Sequence, residues 1–191
     1  MPLGVFGGSA PHALRVSAGG SPSMGDLAQL TKEQATGKFG DLPVGYRDLG
    51  VRAFNSANIS ISNNTTTAIT LDSERWDTGE LHSTSVNTSR ITLTTAGNYL
   101  IVGIIEWGAN ATGSRQVQIR RNGDSATNIG IITQGATPGG AGFVTTQVIS
   151  IYYQLVVGDF IELFVYQDSG GALNVLNSAT YSPEFMVVKL P

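Results

Sequence analysis

From about residue 50 onward, apolar and polar side chains alternate with a period of two. Ile59 and Ile61 alternate with serines, and Ile91 and Leu93 flank Thr92. Because successive side chains of a strand point to opposite faces, this period predicts half-buried β-strands. Longer runs rich in β-branched and aromatic residues, which favour strands, follow at Tyr99–Trp107, Phe143–Val157, Phe160–Gln167 and Phe185–Leu190. Turn signals separate about ten such strands, so we predict an all-β sandwich or jelly roll.

The composition is poor in charge. Charged residues make up 13% of the 191 residues, about half the usual fraction, and a surface of this kind tolerates contact with other copies of the chain. The net charge of −3 gives no general attraction to nucleic acid. The absence of cysteine excludes disulfides and thiolate chemistry. No run approaches the about 18 apolar residues that span a bilayer, so we expect no membrane insertion.

Residues 1–48 differ from the rest of the chain, because glycine and proline recur there without a hydrophobic period. We interpret them as an irregular, extended N-terminal arm, followed by one β domain over residues 49–191. A disordered tail is the alternative. The arm nevertheless carries apolar side chains that suit contact with a partner surface. The candidate anchoring residues are Phe6, Leu14, Leu27, Leu30, Phe39 and Tyr46.

Some strands are apolar on both faces. In Tyr99–Trp107, one face carries Tyr99 and Trp107, and the opposite face carries Leu100, Val102 and Ile104. A two-sheet sandwich buries only one face of each strand, so the second face requires another cover. We therefore predict a homo-oligomer. The candidate interface residues are Tyr99, Trp107, Tyr152, Tyr153, Phe164 and Tyr166.

Five segments of the β domain resemble the C1q/TNF-like jelly-roll family. They are Val51–Asn55, Gly97–Ile101 with its Gly-x-Tyr pattern, Val117–Gly123 ending in Asn-Gly, Leu155–Ile161 with its Leu-x-x-Gly-Asp pattern, and Phe185–Val188. The resemblance implies a ten-stranded jelly roll that assembles as a homotrimer. Residues 71–85 look similar to the C1q-like domains of bacteriophage and bacterial proteins. The sequence contains no collagen repeat, which argues against a complement-like architecture.

An acidic segment is the best candidate for a metal site. Its carboxylates are Asp72, Glu74, Asp77 and Glu80, with His82 close by. Calcium takes roughly six to eight oxygen ligands, but the spacing does not match an EF-hand, and no ligand-rich loop is evident. We therefore expect no calcium, no other metal and no cofactor, and instead a solvated loop in which Arg75 forms an ion pair.

Catalysis is not indicated by any motif. His12 and His82 are the only histidines and fall in different segments, and neither a nucleophile elbow nor a phosphate loop occurs. We therefore predict that the protein is not an enzyme and has no catalytic residues.

Two binding roles remain. In the first, the chain is a virion structural protein: a trimeric capsid decoration, or cement, protein anchored to the major capsid protein or other virion subunits by its arm. In the second, it is the receptor-binding head of a phage head or tail fibre that recognises a host surface glycan or protein. A bacterial surface or secreted adhesin is a third interpretation. The absence of a repetitive shaft favours the decoration protein, which we expect to be assembled in the host cytoplasm and located on the capsid surface.

Overall fold

The structure is a computed structural model that describes residues 49–123, 131–139 and 142–191, with only the backbone of Ile132. Within these residues the chain is all-β, with twelve strands and no helix. The proposed arm therefore lies outside the described residues, together with its candidate anchoring residues Phe6, Leu14, Leu27, Leu30, Phe39 and Tyr46. Within the described part of the chain, no helix is long and apolar enough to cross a membrane.

The described residues form twelve strands in chain order. They are β1 (Gly50–Phe54), β2 (Ile59–Ile61), β3 (Thr67–Ala68), β4 (Ser73–Asp77), β5 (Arg90–Thr92), β6 (Gly97–Trp107), β7 (Ser114–Arg121), β8 (Ile131–Pro138), β9 (Thr145–Leu155), β10 (Phe160–Gln167), β11 (Leu173–Val175) and β12 (Glu184–Lys189).

The strands form two antiparallel sheets. The first has seven strands in the order β2-β11-β6-β12-β1-β4, with β9 paired to β6 on the side opposite β12. The second has five strands in the order β3-β10-β7-β8, with β5 also paired to β10. Among the described strands, β6 is the only partner of β9, and the two pair from Gly97↔Leu155 to Trp107↔Thr145. Strand β9 is therefore an edge strand of the first sheet.

The core lies between the two sheets and follows the period of two. On β6, Tyr99, Ile101 and Ile105 are fully buried, while the residues between them are partly exposed as far as Ile104. Gly103 belongs to the inward face, because a Cβ atom there would lie 2.5 Å from Cδ1 of Leu163 on the opposite sheet. Full burial of a large apolar side chain such as Phe185 contributes about 1.5–3 kcal/mol.

The predicted all-β jelly roll is confirmed, but two details differ. The described residues contain twelve strands rather than about ten, since strands as short as the two-residue β3 cover too few residues to show alternation. The second difference concerns Asn122-Gly123, because Asn-Gly is typical of a two-residue hairpin turn. Strand β7 ends at Arg121 and β8 begins at Ile131, so a long connection replaces a two-residue hairpin.

Candidate assembly surface

The outward face of the first sheet is apolar over three neighbouring strands. On β6, Leu100, Val102 and Ile104 point away from the core and are half-buried. Residues that face each other across antiparallel strands have side chains on the same face, so their partners belong to the same surface. We call this set the apolar outer face: Leu100, Val102 and Ile104 on β6, Val148 and Tyr152 on β9, and Met186 and Val188 on β12.

The apolar outer face is most exposed on β9. Val148 is 65% exposed and Tyr152 is 59% exposed, and they lie opposite Ile104 and Leu100 respectively. Strand β9 is also 11 residues long and forms a sheet edge. A long edge strand that carries apolar side chains is a template for pairing with another chain. This part of the chain therefore offers both a face and an edge to a partner.

A buried carboxylate borders the apolar outer face. The side chain of Glu184, on β12, is 3% exposed and forms ion pairs with Arg52 on β1 and Arg75 on β4. Nη2 of Arg52 lies 2.5 Å from Oε2 of Glu184, and Nε of Arg75 donates to Oε1. The two arginines also donate to backbone carbonyls of Ala179 and Thr180. The cluster thus joins three strands to the loop that precedes β12.

This geometry corrects one expectation. Arg75 does not pair within the acidic segment but with Glu184, which is 109 residues away in sequence. Its guanidinium also lies 4.5 Å from the centre of the Phe54 ring, a distance at which a cation and an aromatic face attract each other. The pairing follows from sheet order, because β4 and β12 both flank β1.

At the C-terminal end of β6, the outward face is polar. Glu106 is buried, and its Oε2 accepts hydrogen bonds from the hydroxyls of Ser178 and Tyr181. Its backbone N–H donates to Oγ of Ser182, at 2.7 Å. The apolar outer face therefore ends where β6 meets the loop before β12, and its charged groups at that end are already hydrogen-bonded.

The structure places the six predicted interface residues at several different locations. Tyr152 lies on the apolar outer face, but the prediction is wrong for Tyr99 and Trp107, which are fully buried between the sheets. The Tyr99 hydroxyl donates to the carbonyl of Thr95, at 2.6 Å. Nε1 of Trp107 donates to Oε1 of Gln147, at 2.8 Å. When both faces of a strand are apolar, the period alone does not tell which face points inward. In β6, the inward face is the one that carries the aromatic residues.

The other three candidates lie away from the apolar outer face. Tyr153 is half-buried on the inward face of β9 and packs against the core. Phe164 and Tyr166 lie on the outward face of the second sheet, where Phe164 is buried and Tyr166 is half-buried. These three stay predictions as contact residues. The remaining members of the apolar outer face were missed as candidates, although the alternation had already put Leu100, Val102 and Ile104 on the second face of β6.

The outward face of the second sheet differs from the apolar outer face, because it carries polar side chains that hydrogen-bond to one another. Nε2 of Gln118 donates to Oε1 of Gln116, at 2.8 Å, and Nε of Arg120 donates to Oε1 of Gln118, at 2.8 Å. The Arg120 guanidinium lies 4.2 Å from the centre of the Phe164 ring. Arg90 is placed in the same way over Phe160, also at 4.2 Å. The polar groups in these contacts are therefore satisfied within the subunit.

The acidic segment is not assembled into a cation site. Oδ1 and Oδ2 of Asp72 accept from the N–H and the hydroxyl of Ser56, at 2.8 and 2.7 Å. Partial burial raises the pKa of Asp72, but these hydrogen bonds outweigh it and the pKa lies below its ordinary value. Glu74 contacts Nδ1 of His82, at 2.7 Å, and Asp77 accepts from the N–H groups of Gly79 and His82.

Three of the four candidate carboxylates therefore contact other groups of the protein, and two of them, Glu74 and Asp77, share His82 as a partner. Glu80, the fourth, is exposed and has a φ of 52°. In the described ranges, no group of three or more histidine and carboxylate side chains is arranged to hold a metal ion. The segment therefore differs from the predicted solvated loop, because residues 73–77 form β4 and its carboxylates contact neighbouring turns and His82.

Comparison with known proteins agrees with this architecture. No protein-family model and no curated protein matches the sequence. Among solved structures, the TNF protein Eiger from S. frugiperda matches with a TM-score of 0.55 and 15% identity, over 75% of this chain and 93% of that chain. Murine APRIL at pH 5.0 matches with a TM-score of 0.55 and 14% identity, over 75% of this chain and 100% of that chain. The described part of the chain thus has the jelly-roll fold of TNF-like proteins.

Proposed function

We propose that the protein is a homotrimeric, non-enzymatic virion component that decorates the capsid surface and is anchored there by residues 1–48. The observation that carries the assembly part is the apolar outer face beside the edge of β9, where Val148 and Tyr152 are more than half exposed. A surface of this kind on a folded subunit marks a contact with another protein.

Self-association would bury the exposed part of this surface. Five of its seven members are already half-buried in the subunit, so the largest gains on assembly come from Val148 and Tyr152. Full burial of a large exposed side chain contributes about 1.5–3 kcal/mol, whereas association costs about 4–15 kcal/mol in lost freedom of motion, so a stable contact has to extend beyond these two side chains. A second copy of the chain is a suitable partner, because it is always present at the same concentration as the subunit itself.

A ring of three suits the shape of the surface. The edge of β9 and the face over β6 and β12 are different patches, so a contact between one edge and the next face is heterologous. Heterologous contacts close into rings when the rotation allows it. The TNF-like fold and the sequence resemblance to C1q/TNF-like domains support a ring of three.

The virion role is supported by sequence features rather than by the sheet geometry. Residues 71–85 resemble the C1q-like domains of bacteriophage proteins, and residues 1–48 carry apolar side chains such as Phe6 and Phe39. A segment of this length that lies along a capsid subunit distributes its ordering cost, about 1–2 kcal/mol per residue, over an extended contact. The partner would be the major capsid protein or another virion subunit.

The alternative role, a receptor-binding head, is favoured by one observation. Phe143 is 77% exposed and Val144 is 49% exposed in the connection between β8 and β9. Exposed aromatic side chains at the end of a rigid sandwich are typical anchors for a protein partner. In this role, a host surface glycan or protein would contact the trimer end rather than the arm.

The assembly proposal is tested by light scattering on the purified full-length protein. We expect a mass of three times 20.0 kDa and a shift to monomer for the double variant Val148→Glu/Tyr152→Glu, because two charges then lie on the apolar outer face. The matched control is Val86→Glu, since Val86 is similarly exposed at 64% but follows β4 in a loop. A concentration-independent monomer, or equal dissociation of the control, would contradict the proposal.

The two roles are separated by deleting residues 1–48 and by the variant Phe143→Ser. If the protein decorates a shell, electron microscopy and co-sedimentation should show attachment for the full chain and for Phe143→Ser, but none for the truncated trimer. If it is a receptor-binding head, Phe143→Ser should instead lose binding to host cells. A truncated protein that falls to monomers would place the arm in the trimer's own core and contradict the anchoring role.

A further inference from the structure

A charged side chain is buried at one end of the core, among the loops that close it. Arg115, on β7, points inward with Val117 and Ile119 and is fully buried. Its Nη1 donates to the carbonyls of Thr112 and Ser114, at 3.0 and 2.9 Å, and its Nη2 donates to the carbonyl of Asn110, at 3.1 Å. The guanidinium thereby holds the loop between β6 and β7 against the sandwich.

The charge of Arg115 faces an opposite charge, and most polar groups around it are hydrogen-bonded. Burial lowers the pKa of Arg115, and the negative charge of Asp168 opposes that shift. The Asp168 carboxylate accepts from the N–H and the hydroxyl of Ser114. Gln147 donates from Nε2 to the carbonyl of Arg115, at 3.1 Å, and accepts from Trp107. Nearly every polar atom of the cluster thus has a protein partner.

Two atoms are the exception. In the described part of the chain, Nε of Arg115 and Oγ1 of Thr137 are the buried side-chain polar atoms without a hydrogen-bond partner. Arg115 and Thr137 are directly opposite each other on β7 and β8, so their side chains lie on the same inward face. An unsatisfied buried donor costs about 1–3 kcal/mol. Because the two residues face each other, one shared ligand is a simpler account of these atoms than two separate defects.

We propose that a single buried water molecule bridges Nε of Arg115 and Oγ1 of Thr137. Water can accept the Nε–H bond and either donate to or accept from the hydroxyl, and buried waters in proteins have at least two such partners. A small anion fits less well, because three carbonyl oxygens and the Asp168 carboxylate already surround or face the guanidinium. The water completes the hydrogen bonding of Arg115 and so helps to fix residues 109–113.

Crystal structures of the full-length protein and of two variants test this proposal. At a resolution that shows ordered water, we expect one density peak within hydrogen-bonding distance of both atoms. The peak should persist in Thr137→Ser, which keeps the hydroxyl, and disappear in Thr137→Val, which has nearly the same shape without it. A bromide-soaked crystal should show no anomalous peak at this position.

Three results would overturn the proposal. They are an empty site in the wild type, a direct hydrogen bond between Nε and Oγ1, and a bromide peak, which would identify an anion site. If Thr137→Val does not fold, the wild type and Thr137→Ser still decide the question, because both must contain the water.

Discussion

Nδ2 of Asn122 donates to Oδ1 of Asp159, at 2.7 Å, and so joins two turns at one end of the sandwich. Asn122 follows β7, and Asp159 lies in the turn between β9 and β10. Oδ1 of Asn122 also accepts from the N–H of Phe160, at 3.0 Å, and Oδ2 of Asp159 accepts from the N–H of Val156, at 3.0 Å. The Asn-Gly and Gly-Asp patterns of the sequence thus meet in space and lock the two turns together.

Substitution of Asn122 should separate the contribution of its side chain from that of its backbone. Asn122 has a φ of 58°, which glycine adopts freely and alanine adopts at a cost of about 1–2 kcal/mol. We expect Asn122→Gly to lower the free energy of unfolding by about 1–3 kcal/mol through the lost hydrogen bonds. Asn122→Ala should be less stable still. Urea unfolding measures both, and an alanine variant as stable as wild type would contradict this account.

Loss of the Glu184 carboxylate should destabilise the first sheet. Glu184→Ala leaves Arg52 and Arg75 without their common partner, and we expect a loss of about 1–3 kcal/mol in denaturant unfolding. The loss is smaller than for a fully buried pair, because both arginines are partly exposed. The control variants are Glu80→Ala and Glu80→Gln, which remove the charge of a glutamate that is exposed. If removal of Glu80 costs as much as removal of Glu184, the proposed role of the buried cluster is wrong.

The stability of the protein should fall in acid partly through Asp168. Hydrogen bonds from Ser114, chiefly from its backbone N–H, hold the pKa of Asp168 below its ordinary value of 3.8. In this range the unfolded chain binds more protons than the folded one, so stability is present above the unfolded pKa and is lost as the pH falls through the folded pKa.

Melting temperatures recorded from neutral pH to below about 4 measure this effect. In Asp168→Asn, the loss of stability at low pH should be smaller than in wild type, because one group with a depressed pKa is gone. Equal acid sensitivity of the two proteins would show that Asp168 does not contribute.

Tryptophan fluorescence should distinguish a core position from an interface position. The chain has two tryptophans, Trp76 and Trp107, so Trp76→Phe leaves Trp107 as the only one. Because Trp107 is fully buried within one subunit, iodide should not quench it in the trimer. It should also stay protected in the dissociated Val148→Glu/Tyr152→Glu variant. If iodide quenches Trp107 only after the trimer dissociates, Trp107 lies at the subunit interface and its placement in the core is wrong.

The fold class was predictable because the period of two is a local property of the chain. Alternation around Ile59–Ile61 and Ile91–Leu93 is enough to indicate strands. The short strand β3 was not predictable, since two residues carry no period.

The candidate surface was predictable only in part, because it depends on contacts between distant residues. Doubly apolar strands indicated a covered second face, but the sequence did not show that Tyr99 would face the core and Leu100 the outside. The pairing of Arg75 with Glu184 results from the order of β4, β1 and β12 in the sheet. Nothing within the acidic segment itself indicates this partner.

The position of β12 constrains the order in which the subunit can fold. This strand is the last of the twelve along the chain, yet it lies between β1 and β6 and pairs with both. During synthesis, β1 and β6 therefore keep open hydrogen-bonding edges until residues 184–189 have left the ribosome. Pairing between distant strands is slow, and open edges are prone to aggregation. The first sheet is therefore completed only after residues 184–189 have emerged, and until then the nascent chain most needs protection from its neighbours.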